Sequence, residues 1–83
     1  MFNLLDTLTA YLKCPSVSAD PAYLSGMVQA RSCLKNCFAA LGLQVEEVDT
    51  PLHPLILAHH KGRPGAPRIF LYGHYDVQPP DPL

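Results

Sequence analysis

The run Arg68-Ile69-Phe70-Leu71-Tyr72-Gly73-His74-Tyr75-Asp76-Val77 decides how this chain is read. Ile69 to Tyr72 is a continuous apolar stretch between Pro67 and Gly73. Such a stretch, bounded by turn residues, suits a strand buried on both faces. Side chains two apart on a strand face the same way, so His74 and Asp76 are expected to project together from its carboxyl end. In α/β sheets ligands bind at that end.

Working outward, "KGRPGAP" at 61–67 carries two glycines and two prolines and reads as a turn. "LILAHH" at 55–60 is a strand candidate, and the turn after it permits an antiparallel hairpin with 68–72. "LQVEEV" at 43–48 alternates at Leu43 and Val45 and reads as a further short strand, with Pro51 and Pro54 marking the break after it. Glu46 and Glu47 are adjacent, so they point to opposite faces and read as exposed strand charges.

The first forty residues are helical in pattern. Leu4, Leu8 and Leu12 form an i, i+4, i+8 stripe with Leu5 beside it, which predicts a helix over 3–13. Pro15 ends it, because the residue before a proline is pushed out of the helical region. Asp20 is a good N-cap, and Pro21 suits a first helical position, where no amide hydrogen bond is lost. Leu24, Met27, Val28, Leu34, Cys37, Phe38 and Leu41 keep helical spacing and read as core, and Gly42 supplies the stop. The expected class is α/β: two amino-terminal helices followed by three strands, with helices flanking a sheet.

Composition sets limits. With 83 residues the chain is at most one small domain. A chain of this size buries only about 60% of its unfolded surface. Apolar residues make up 48% and charged residues 16%, which argues against disorder. The chain either buries much of itself or is covered by something outside it. Net charge is −1 and the basic residues are scattered, so no nucleic-acid surface is expected. No apolar run reaches the ~20 residues of a membrane span. Met1 to Asp6 lacks a basic region and Asp6 interrupts its apolar stretch, so no secretory signal is expected and a cytoplasmic location is.

Cys14, Cys33 and Cys37 then read as reduced thiols. Cys33 and Cys37 share a helical face; they are small buried hydrophobes, a metal pair or a redox pair. His59 and His60 decorate a strand end, and His53, between turn prolines, is given no role.

The His74/Asp76 pair offers a specific chemistry. A neutral imidazole nitrogen holds zinc at about 2.0–2.1 Å. A nearby carboxylate fixes the ring and raises its basicity. Gly73 allows close backbone approach. The alternative is a surface loop with a solvated His74.

"YGHYDVQPPDPL" at 72–83 resembles the first metal motif of the dinuclear zinc peptidases that include carnosinase-like dipeptidases, aminoacylase, carboxypeptidase G, acetylornithine deacetylase and succinyl-diaminopimelate desuccinylase. The matching residues are Gly73, His74, Asp76, Val77 and Pro79. Gln78 and the Asp81-Pro82-Leu83 tail look most like the dipeptidase branch. "PSVSADPAY" at 15–23 is similar to the loop between the first two helices of that branch. The resemblance implies that residues 1–83 are the amino-terminal portion of one metallopeptidase catalytic domain. It implies that His74 is a zinc ligand and that Asp76 is the active-site carboxylate that keeps the zinc site in shape. It further implies two zinc ions, a small peptide or acyl-amino-acid substrate, and a homodimer in the complete enzyme. The family's bridging carboxylate, general-base glutamate and other ligands follow this motif. The 83 residues by themselves are therefore expected to hydrolyse nothing. Two other readings stand beside this one: a short non-catalytic remnant that binds a partner or complementary fragment, and a small metal or thiol module built on Cys33, Cys37 and nearby histidines.

Overall fold

A computed structural model describes residues 3–80. The Met1-Phe2 start and the Asp81-Pro82-Leu83 tail used in the sequence reading lie outside the described residues. Helix α1 spans Leu4–Leu12, and the Asn3 side chain caps it by accepting from the Asp6 amide at 3.0 Å. The chain then turns through Cys14 and Pro15. Asp20 caps the next element as expected, accepting from the Ala22 amide at 2.9 Å. Pro21–Tyr23 forms one tight 3-10 turn, and helix α2 follows over Leu24–Ala40. Its end is a Schellman cap. Gly42 has φ 82°, the Gly42 amide donates to the Ala39 carbonyl at 3.0 Å, and the Leu43 amide donates to the Phe38 carbonyl at 3.1 Å.

Strands β1, Gln44–Val48, and β2, Leu55–His59, pair antiparallel from Gln44↔His59 to Val48↔Leu55. Val45, Glu47, Ile56 and Ala58 share the face that packs toward α2, as the register requires. On that face Glu47 reaches Lys35 of α2 at 3.0 Å and Arg31 at 3.6 Å. The glutamates are exposed, as read from the sequence, but Glu47 is also ion-paired.

The core is small. Among the described residues Val17, Met27 and Ala30 are its buried apolar residues, with Ser16 beside them. It lies where the amino-terminal half of α2 meets the loop Pro15–Val17. The contact is close enough that a Cβ at Gly26 would lie 2.0 Å from the Pro15 carbonyl oxygen. The helical stripes are only partly core. Leu4, Leu5 and Leu12 of α1 and Leu24, Val28 and Leu41 around α2 are all more than half exposed.

The class is α/β, with two helices and two described strands. The third strand expected over 68–72 is not formed: β2 is paired on one edge, to β1, and 68–72 does not pair with its other edge. Ile69, Phe70, Leu71 and Tyr72 run without a ladder partner and are 84–87% exposed. A strand exists only where a neighbour supplies its hydrogen bonds. The link before this run is a turn with Pro64 second and Gly65, φ 79°, third, closed by the Ala66 amide on the Arg63 carbonyl. That turn does not lead 68–72 back along β2. The chain instead returns at Val77, which makes an isolated parallel bridge to Val17.

Candidate metal centre

The return of the chain at Val77 builds the site. The Val77 amide donates to the Ser16 carbonyl at 2.9 Å, so residues 74–76 lie against the loop that joins the helices. Tyr75 anchors the segment from three sides. Its carbonyl accepts from the Tyr11 hydroxyl of α1 at 2.7 Å. Its own hydroxyl donates to the Pro54 carbonyl at 2.7 Å and accepts from Arg31 Nη1 of α2 at 3.3 Å. The Arg31 guanidinium also sits 6.0 Å from the Tyr75 ring centroid, within cation–π range. Both helices and the β1–β2 loop therefore hold one peptide in place, the one between His74 and Asp76.

His74 and Asp76 meet directly. His74 Nδ1 lies 2.9 Å from Asp76 Oδ1 and 3.1 Å from the Asp76 carbonyl oxygen. Both partners are acceptors, so Nδ1 carries the hydrogen. The lone pair of the neutral ring is then on Nε2. The other carboxylate oxygen, Oδ2, accepts from the Ser18 hydroxyl at 2.5 Å. The Ser18 hydrogen bond, followed by that of His74, holds the Asp76 carboxyl below the ordinary carboxylate range, against a smaller opposing effect of burial. Asp76 is thus a fixed anion beside an exposed imidazole.

Four contributors escaped the sequence reading. From sequence Ser18 is only part of a loop, and Tyr11 and Arg31 have no role. His53 was set aside, yet its Nε2 donates to the Ser18 carbonyl at 2.9 Å. The signal for Ser18 was within the "PSVSADPAY" match; the other three have no local signal.

The thiols make no hydrogen bond to this pair. Cys14, Cys33 and Cys37 are free and half-buried. Burial pushes the Cys14 thiol up, with Cys33 adding to the effect. Cys33 and Cys37 line an open apolar groove between the helices of about 290 Å³, together with Leu8, Tyr11, Leu34 and His74. Among the described residues no group of three or more His, Cys, Asp or Glu side chains converges to hold a metal ion. His74 presents an exposed imidazole whose Nδ1 is taken by Asp76. No helix among the described residues is long and apolar enough to cross a membrane.

The chain is similar to three curated proteins. The sequence is 29% identical over 82 residues to the Cys-Gly metallodipeptidase dug1 of Schizosaccharomyces pombe, covering 87% of this chain and 17% of that protein. It is 29% identical over 85 residues to the Cys-Gly metallodipeptidase DUG1 of Saccharomyces cerevisiae, covering 87% and 18%. The chain is similar to metallodipeptidases. The Candida albicans Cys-Gly metallodipeptidase DUG1 is 28% identical over 90 residues, covering 93% of this chain and 19% of that protein. The chain spans less than a fifth of the length of these relatives. Their names denote metal-dependent hydrolysis of a dipeptide in those proteins. No protein-family profile matches the chain. No solved structure matches it.

Proposed function

We propose that this chain is the amino-terminal portion of a metal-dependent dipeptidase and that His74 is one of its metal ligands. One observation carries the reading: in a chain similar to metallodipeptidases, His74 has its Nδ1–H bound to Asp76 and its Nε2 available. That is the arrangement in which a neutral imidazole ligates a divalent ion. Asp76 orients the ring and supports its basicity, and Tyr75 holds the peptide between them. In the complete enzyme His74 would help to hold the metal, zinc and two ions of it by resemblance, and that group would supply Lewis-acid chemistry toward water and the scissile carbonyl. The substrate class is a small peptide or acyl-amino acid, with Cys-Gly the first to test. The complete enzyme is a cytoplasmic homodimer. Residues 1–83 alone contribute one ligand, whereas a catalytic zinc takes about three protein ligands. This portion by itself therefore turns nothing over.

The test is made on the native product, purified from its source. Its intact mass should be several times 9.1 kDa. It should cleave Cys-Gly, lose activity to a chelator and regain it with zinc. His74→Ala should abolish activity and lower bound metal, while a variant with Cys33→Ser and Cys37→Ser should keep both. A 9.1 kDa inactive product would refute the reading. It would favour the partner-binding remnant instead, which the bare run Ile69 to Tyr72 supports. Loss of metal with the two cysteines, and not with His74, would point to the thiol module.

A further inference from the structure

We propose that Ser18 is a positioning residue for His74 and acts through Asp76. Its hydroxyl holds the carboxylate in the orientation that presents Oδ1 to the His74 Nδ1–H, leaving Nε2 as the open nitrogen.

The geometry for this is complete on one side chain. The last torsion of an aspartate is broad and two-fold, so an untethered carboxylate samples many orientations. Here Oδ2 takes the Ser18 hydroxyl at 2.5 Å while Oδ1 takes the imidazole at 2.9 Å. A hydroxyl donating to an ionised carboxylate makes a short, strong hydrogen bond. Two donors on opposite oxygens fix the torsion in a way that one donor cannot.

Ser18 is itself held, which lets it act as a fixed point. Its carbonyl accepts from His53 Nε2 at 2.9 Å. The His53 carbonyl in turn accepts from the Thr50 hydroxyl at 2.7 Å. On the other side, Val17 pairs with Val77 and Ser16 is buried. The Asp76 carboxylate that His74 meets, beside the Asp76 carbonyl, is therefore oriented by a residue 58 positions away in sequence. The chain of contacts runs His53, Ser18, Asp76, His74. The consequence for metal affinity rests on the ligand reading above; the consequence for the imidazole tautomer does not.

The test uses the full native product labelled with nitrogen-15 at histidine. Long-range proton–nitrogen correlation spectra report which ring nitrogen of His74 bears the hydrogen. The wild type should show the Nδ1–H tautomer as the dominant neutral form. Ser18→Ala should give a mixture and weaken zinc binding about 10-fold in competition with a chromophoric chelator. Ser18→Thr, which keeps the hydroxyl, should restore both. A merely structural role for Ser18 would not move the tautomer in a variant with the wild-type circular dichroism spectrum. If Ser18→Ala does not fold, Ser18→Cys, close in size and a much weaker donor, is read in the same way. An unchanged tautomer and unchanged zinc affinity in the folded variant overturn the proposal, as does a mixed tautomer in the wild type. His74→Ala with undiminished zinc affinity overturns the metal-ligand reading instead, and the tautomer result then decides the role of Ser18 alone.

Discussion

Gly26→Ala sets two effects of known sign against each other. A glycine inside a helix costs about 1 kcal/mol relative to alanine, so on propensity alone the substitution stabilises α2. The structure opposes this. The new Cβ would lie 2.0 Å from the Pro15 carbonyl oxygen, 2.6 Å from its carbonyl carbon and 2.8 Å from its Cγ. Two of these are backbone atoms and cannot rotate away. The loop must retreat by more than an ångström to restore ordinary contact. Overpacking of this kind costs about 1–3 kcal/mol, and a rigid backbone obstacle belongs at the upper end. The net expectation is a loss of about 2 kcal/mol. Native stability is roughly 0.05–0.15 kcal/mol per residue, so the loss is a large part of what a chain this size can have. The same retreat carries Ser16 and Ser18 away from Val77 and Asp76, so zinc affinity should fall together with stability. The assay is urea unfolding of wild type and variant, compared at equal slope. A variant as stable as the wild type, or more so, would show that propensity wins and that α2 does not rest on Pro15 at Gly26.

Tyr75→Phe removes the hydroxyl that bonds Pro54 and Arg31 but keeps the ring under the guanidinium. At about 0.5–1.5 kcal/mol for each of the two hydrogen bonds, a loss of roughly 1–3 kcal/mol is expected by the same unfolding assay, and an unchanged midpoint would refute the three-sided anchoring of Tyr75. Burial, and then the negative charge of Asp76, push the Tyr11 phenol above its ordinary value of 10.0. A raised folded pKa means its contribution is fully present below pH 10.0 and is lost as pH rises through the higher folded value. Stability should therefore decline on that alkaline limb, and Tyr11→Phe should flatten it; a Tyr11 phenol that ionises at its ordinary value would contradict this.

Much of the framework was legible because its signals are local. Pro15, Asp20 and Gly42 bound the helices through φ restriction, a side-chain cap and a left-handed turn, each of which acts within a few residues. The alternation at Val45 and the apolar run after Pro54 placed β1 and β2 within a residue or so. The spacing of His74 and Asp76 put two chemistry-bearing side chains together, and they meet at 2.9 Å. The run at 68–72 was misread for a physical reason. Apolar composition marks a segment that can be covered on both faces, but a strand also needs neighbours, and composition does not say whether a neighbour is present.

The long-range partners came from packing alone: Val77 on Val17, Tyr11 and Arg31 on Tyr75, Ser18 on Asp76, and His53 on Ser18. Each links residues far apart in sequence, where no capping rule or periodicity reaches. The spacing of His74 and Asp76 marked them as a pair, although the strand expected to present them is not formed. Which hydroxyl orients that pair, and which nitrogen it leaves open, depends on the chain returning to its own first loop, because a hydrogen bond is set by distance in space and not by distance along the chain.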